Sequence, residues 1–165
     1  MLVPAAAMID EYKRVYFEST FDPKYKFIHI GGARLYQEPK ASTDEESHFV
    51  SVFDGRIVGE VKYSFDFQTR RASLTRAARY GKSGSVTFMR DLAAAIDRIF
   101  RYHNLNKLEY HVVVGNPAEH IWDRLTEKHG GRIVGIWREA VMLEDGKLYD
   151  YKAYELMASE YLVKR

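Results

Sequence analysis

Between Arg79 and Ser85 the chain reads R-Y-G-K-S-G-S, two glycines three apart with a lysine and two serines, directly ahead of an apolar helical pattern. Glycines let a backbone approach an anion closely, and hydroxyls add donors. The first turn of a helix adds unsatisfied N–H groups and the positive end of its dipole. From Gln68 to Arg90 the chain holds Arg70, Arg71, Arg76, Arg79, Lys82 and Arg90 and no acid. An anionic ligand, a phosphate above all, suits this stretch. A nucleotide P-loop does not, because that motif needs a glycine five residues before Gly81, where Arg76 stands. The plain alternative is a loop in which Ser83 or Ser85 caps the helix and the arginines face solvent.

Two residues are suited to moving a proton. His111 has an intrinsic pKa near neutrality, and Glu60 acquires one on burial. Each also has an ordinary reading, Glu60 on the solvent face of a strand and His111 as a hydrogen-bonded sheet residue. Asp123 is a weaker acid candidate, and Tyr149, Tyr151 and Tyr154 are phenols on a strand of their own. The six histidines lack paired ligand spacing and there is no cysteine, so no metal site is expected. No G-x-S-x-G elbow occurs.

The elements that must position these groups are legible in outline. Met8, Tyr12, Val15 and Tyr16 repeat at helical spacing over Ala5–Ser19, followed by an apolar stretch at 27–30, Gly31-Gly32 and a polar loop at 40–47. F-V-S-V-F (49–53), Asp54-Gly55 and R-I-V-G-E-V-K-Y-S-F (56–65) form a hairpin pattern, and a third strand runs through 72–78. After the loop, Met89, Leu92, Ala93, Ile96, Ile99 and Phe100 mark one helical face. K-L-E-Y-H-V-V-V (107–114) is a strand. Asn116 and Pro117 open a second helix with Ala118, Ile121, Trp122 and Leu125 inward, and Gly130-Gly131 end it. Strands at 132–143 and 148–157 close the chain. A mixed sheet with helices, α/β or α+β, follows from that order.

The chain has 165 residues, 46% of them apolar, and a formal charge of +2. One domain over 1–165 is expected, with residues 1–44 differing in texture from a core at 45–157. The small charge gives no general case for a nucleic-acid partner, although the basic stretch at 70–90 supplies a weak local one. No apolar run reaches the ~20 residues of a membrane span, and the first residues make a poor signal peptide, so a cytoplasmic location is expected.

From about Ser47 to Met157 the chain resembles the GNAT N-acetyltransferase superfamily, in the order of its elements and in two motifs. Members carry [RQ]-x-x-G-x-[GA] after the fourth strand; Arg79 and Gly84 fit its ends, with the middle glycine displaced to Gly81 and Lys82 in its place. N-P-A-E-H-I-W-D-R-L-T-E-K-H-G-G is similar to the family's N-x-x-A-x-x-x-Y-x-x-x-G-F, with Asn116 at the asparagine and Asp123 at the tyrosine that often protonates the leaving thiolate. The resemblance implies a GNAT-like, mostly antiparallel mixed sheet flanked by helices. It further implies acetyl-CoA as cofactor, held by Ala77, Ala78, Arg79, Gly81, Lys82, Ser83, Gly84, Ser85 and Asn116, and an amine acceptor, with Glu60 and His111 as catalytic candidates. The implied activity is acyl-CoA-dependent N-acyl transfer to a primary amine. A non-catalytic CoA-binding module on the same fold is the alternative, and a homodimer through a sheet edge or the Tyr-rich hairpin is compatible with both.

Overall fold

The computed structural model describes residues 1–29 and 36–163; Ile30 and the Gly31-Gly32 pair lie outside them. The strands are β1 (Leu2–Pro4), β2 (Glu46–Phe53), β3 (Arg56–Asp66), β4 (Arg71–Arg79), β5 (Lys107–Val113), β6 (Arg132–Met142) and β7 (Leu148–Met157). The helices are α1 (Ile9–Thr20), α2 (Ser85–Asp97), α3 (Glu119–His129) and α4 (Ala158–Tyr161). One sheet runs in the order β1-β2-β3-β4-β5-β7-β6. Its pairs are antiparallel except β4 with β5, which the crossover through α2 makes parallel. This is the mixed, mostly antiparallel sheet flanked by helices that the element order implies.

The local departures have physical causes. Leu2–Pro4 pairs with β2 and Ala5–Ala7 is a short 3-10 turn, so the first helix begins at Ile9 rather than at Ala5. The third helix starts at Glu119, not at Asn116-Pro117. The Asn116 side chain accepts from the Ala118 N–H at 2.9 Å, forming a turn that leads into the helix. Of the expected face, Leu92, Ile96, Ile99 and Phe100 are buried, while Met89 is exposed and Ala93 half-buried, and Phe88, Asp91 and Ala95 complete the inward side of α2. Asp91 is carried inward because Ser51 Oγ donates to its carboxylate at 2.7 Å. Glu46 and Ser47 belong to β2 rather than to the polar loop.

The feature that shapes the molecule lies inside β4. Lys62 pairs with Arg76 and Tyr63 with Leu74, leaving Thr75 as an extra residue, a β-bulge. Before it, Ala72 and Leu74 join Phe49, Val61 and Tyr63 in the core beneath α2. After it the alternation is reversed, and Ala78 and Tyr80 join Val50, Tyr12 and Tyr16 on the α1 side. The bulge is also where the parallel pairing ends: Leu74 and Tyr110 are the last partners, although β4 continues to Arg79 and β5 to Val113. Beyond that point each strand is held only by its outer neighbour, β4 by β3 and β5 by β7. The two strands therefore splay.

Gly59 sits where β3 passes under α2. A Cβ there would collide with the Phe88 ring and lie 2.8 Å from the Ala78 carbonyl oxygen. Gly59→Ala is expected to lower stability by about 1–3 kcal/mol through overpacking, read as a lower urea midpoint; an unchanged midpoint would contradict this packing.

Candidate active site

The splay opens into a cavity of about 830 Å³, walled by residues 74–79 of β4 and 110–113 of β5 and closed at one end by Gly81, Lys82 and Ser85. The Tyr80 N–H donates to Val58 O at 2.8 Å, so by strand alternation the Ala78 and Arg76 amides also face β3. The amides of Ala77 and Arg79 then point the other way, into the gap that β5 has left.

The loop from Tyr80 to Ser85 turns twice in the left-handed region, at Gly81 (φ 67°) and Gly84 (φ 68°). Gly84 is required twice over, since a Cβ would also meet a Val58 methyl at 2.9 Å. It is Gly84 that caps α2, with no side-chain bond and no acid in the first turn. The plain reading of a serine cap at Ser83 or Ser85 is thereby overturned, and the helix start keeps its donors and its dipole uncompensated. Arg79 is anchored at the loop by donating from Nη1 to Gly81 O at 2.7 Å. The Gly81 N–H donates to the Tyr25 hydroxyl at 2.7 Å, which joins the loop to the segment after α1. Of the residues named from sequence, Ala77, Ala78, Arg79, Gly81, Lys82, Ser85, Asn116 and His111 line the cavity; Ser83, Gly84 and Glu60 do not.

Glu60 is not on a solvent face: it is wholly buried between the sheet and α1. Its direct cross-strand neighbours, Val50 and Ala78, are small enough to let diagonal neighbours reach its carboxylate. His48 Nε2 lies 3.0 Å from Oε2, Tyr12 donates to Oε2 at 3.0 Å, Tyr80 donates to Oε1, and Arg76 Nη1 stands 3.4 Å from Oε1. Burial alone would raise the Glu60 pKa, but the Arg76 charge together with His48 and Tyr80 holds it at about 2. Sequence reasoning missed this cluster because its members come from α1, β2, β3 and β4 and the bulge hides the parity of Arg76 and Tyr80.

His111 sits on the opposite wall, facing Tyr151 (ring centroids 5.1 Å apart) and Trp137 (4.8 Å). Burial lowers its pKa below the usual 6.5, so the ring is neutral at physiological pH. Burial raises the Tyr151 phenol and keeps it protonated. Asp123 is committed elsewhere: its carboxylate accepts from Tyr154 at 2.7 Å and from Lys152 at 3.1 Å, and Tyr154 does not line the cavity. The phenols that do reach the cavity are Tyr25, Tyr110 and Tyr151.

No protein-family model matches the chain, and no curated protein matches it. Solved structures do. Mutant forms of the spermidine/spermine N-acetyltransferase SpeG from Vibrio cholerae share 21% identity over 99% of this chain and 97% of theirs, with a TM-score of 0.72. A putative acetyltransferase shares 16% identity over 99% of this chain and 85% of its own, with a TM-score of 0.70. A chimera of the Vibrio cholerae enzyme and hSSAT shares 23% over 93% of this chain and 78% of its own, with a TM-score of 0.61. The likeness is one of fold, and the fold is that of the GNAT N-acetyltransferases. Among the described residues no helix is long and apolar enough to cross a membrane.

Because the folded pKa of Glu60 lies below the usual 4.5, its ionised form stabilises the protein fully above that value, and the contribution is lost as pH falls through about 2. Glu60→Gln strands the Arg76 charge and is expected to cost about 3 kcal/mol at neutral pH. The difference from the unmodified protein should shrink as denaturation is repeated toward pH 2. A constant difference across that range would show that the carboxylate is not the source.

Proposed function

We propose that this chain is an acyl-CoA-dependent N-acyltransferase, moving an acetyl group from acetyl-CoA to a primary amine by direct attack. The observation that carries the reading is the divergence of β4 and β5 beyond Leu74 and Tyr110, with a basic glycine-containing loop at one end and a neutral histidine on the wall. The GNAT fold and the likeness to spermidine N-acetyltransferases support it.

The residues fit the cofactor. Arg79, Lys82 and the open amides at the start of α2 match a pyrophosphate, and Ser85 adds a hydroxyl donor. Asn116, at the mouth of α3, suits the polar pantetheine arm. The inward amides of Ala77 and Arg79, beside Ala78, are donors for an acyl carbonyl oxygen. Acetyl-CoA supplies an activated carbonyl and a thiol leaving group. His111 takes the proton of the attacking amine, a task its lowered pKa leaves it free to do at neutral pH. Tyr151, kept protonated against the face of His111, would hold the proton that a leaving sulfur needs, the part that Asp123 cannot play while bound to Lys152 and Tyr154. Glu60, a weak base with four partners, acts as a positioning residue for Arg76 and Tyr80 rather than as the base. The occupied Asp123 also favours a second reading, a CoA-binding module without turnover.

Acetyl-CoA in large excess over its Kd is expected to raise the melting temperature. Arg79→Ala with Lys82→Ala should weaken CoA binding about tenfold or more while the circular dichroism spectrum is retained. His111→Ala should lower kcat by about 10²–10⁴-fold with little change in CoA affinity. The unmodified enzyme should lose activity on acidification through an apparent pKa below 6.5. A protein that binds CoA yet releases no thiol with any amine supports the binding module, and one that does not bind CoA refutes both readings.

A further inference from the structure

The charges lining the cavity are all of one sign. Among the described residues its walls carry Lys24, Arg76, Arg79 and Lys82, with His111 and His120, and no aspartate or glutamate. Residues 30–35, I-G-G-A-R-L, add no acid in sequence. Arg79 and Lys82 belong to the loop end. Arg76 and Lys24 line the cavity away from that loop, as do Phe27, Ile28 and Tyr151. Asp22 and Asp145, the acids of the neighbouring loops, are each taken up by a lysine, Lys24 and Lys26. Glu60 is sealed behind Arg76, so the cavity meets the guanidinium and not the carboxylate. Arg76 spends one nitrogen on Glu60 and another on Ile28 O at 3.1 Å, and its side chain remains 25% exposed.

A polycation entering such a cavity finds no carboxylate on the described walls to pair with its ammonium groups, which is a ground for rejection. A guanidinium that is partly exposed and keeps N–H groups beyond its contacts with Glu60 and Ile28 can instead donate to a carboxylate. We propose, on the basis of the acyltransferase reading above, that the acceptor is a primary amine on a molecule that also carries a carboxylate, received by Arg76, and that polyamines are rejected.

Pentylamine, cadaverine and δ-aminovalerate each carry a primary amine on four methylenes and differ in the fifth carbon, which is a methyl, an ammonium-bearing methylene or a carboxylate. With acetyl-CoA, thiol release should give δ-aminovalerate a kcat/KM at least about tenfold above that of both others, a margin that shrinks in high salt. The double variant Glu60→Gln with Arg76→Gln removes both buried charges together, and in it the ratio of δ-aminovalerate to pentylamine should fall toward one. Cadaverine or spermidine turned over as well as δ-aminovalerate overturns the inference, and a ratio that survives in the double variant removes Arg76 from it. If acetyl-CoA binds by calorimetry and none of the three amines reacts, δ-aminovalerate is titrated into the CoA-bound protein, and absence of binding overturns the inference. Failure of acetyl-CoA itself to bind sinks instead the acyltransferase reading beneath it.

Discussion

One carboxylate with no contact with water, that of Glu60, ties α1, β2, β3 and β4 to a common point. A buried charge is tolerable only where its lone pairs are filled and an opposite charge stands near, and here three uncharged or titratable donors and one guanidinium meet that demand. The consequences spread outward. Tyr80 must turn toward the carboxylate as the chain leaves β4, which fixes where the loop of Gly81 and Gly84 begins. Tyr12 must lie over the sheet, which fixes the face α1 presents. The same aromatic side of the sheet holds Tyr16, whose ring lies 5.9 Å from the Arg76 guanidinium, adding a weak attraction to the cation.

The sheet is thereby divided into two chemically different surfaces. Under α2 the contacts are apolar and aromatic, with Tyr63, Leu92, Ile96, Ile99 and Leu108 almost wholly excluded from water. Under α1 the core is smaller and its centre is ionic. The cavity reaches both surfaces because it lies where β4 and β5 have parted. Under the proposed function, a cofactor with a long polar arm and an acceptor from the other face would meet at this break in an otherwise continuous ladder.

Much of this architecture is legible in the amino-acid sequence, for local reasons. Asp54-Gly55 declares its hairpin, and both residues take the positive φ of such a turn, 51° and 72°. Gly130 ends α3 at φ 81°. The loop at 79–85, Asn116 and His111 can be named as candidates because each carries its chemistry in a short stretch, and they share one cavity. What cannot be read locally is whatever depends on distant partners. Glu60 alternates with apolar neighbours like a solvent-facing residue, and only the arrival of His48, Arg76 and Tyr12 makes its burial tolerable. Asp91 interrupts an apolar helix face for a similar reason, its partner Ser51 lying 40 positions earlier. Thr75 gives no sign of being a bulge, because a threonine inside a strand is ordinary.

The unpaired Thr75 makes the length of β4 more restrictive than its composition. Substitutions at Ser73 or Ala77 adjust packing on one face. Were Thr75 paired instead of extra, strict alternation from Leu74 would exchange the faces, sending the arginine at 76 toward the apolar core and Ala77 toward the carboxylate. The information in this strand is thus carried by a count. Any alignment of distant sequences that slips by one position here will match similar letters while pairing residues from opposite sides of the sheet.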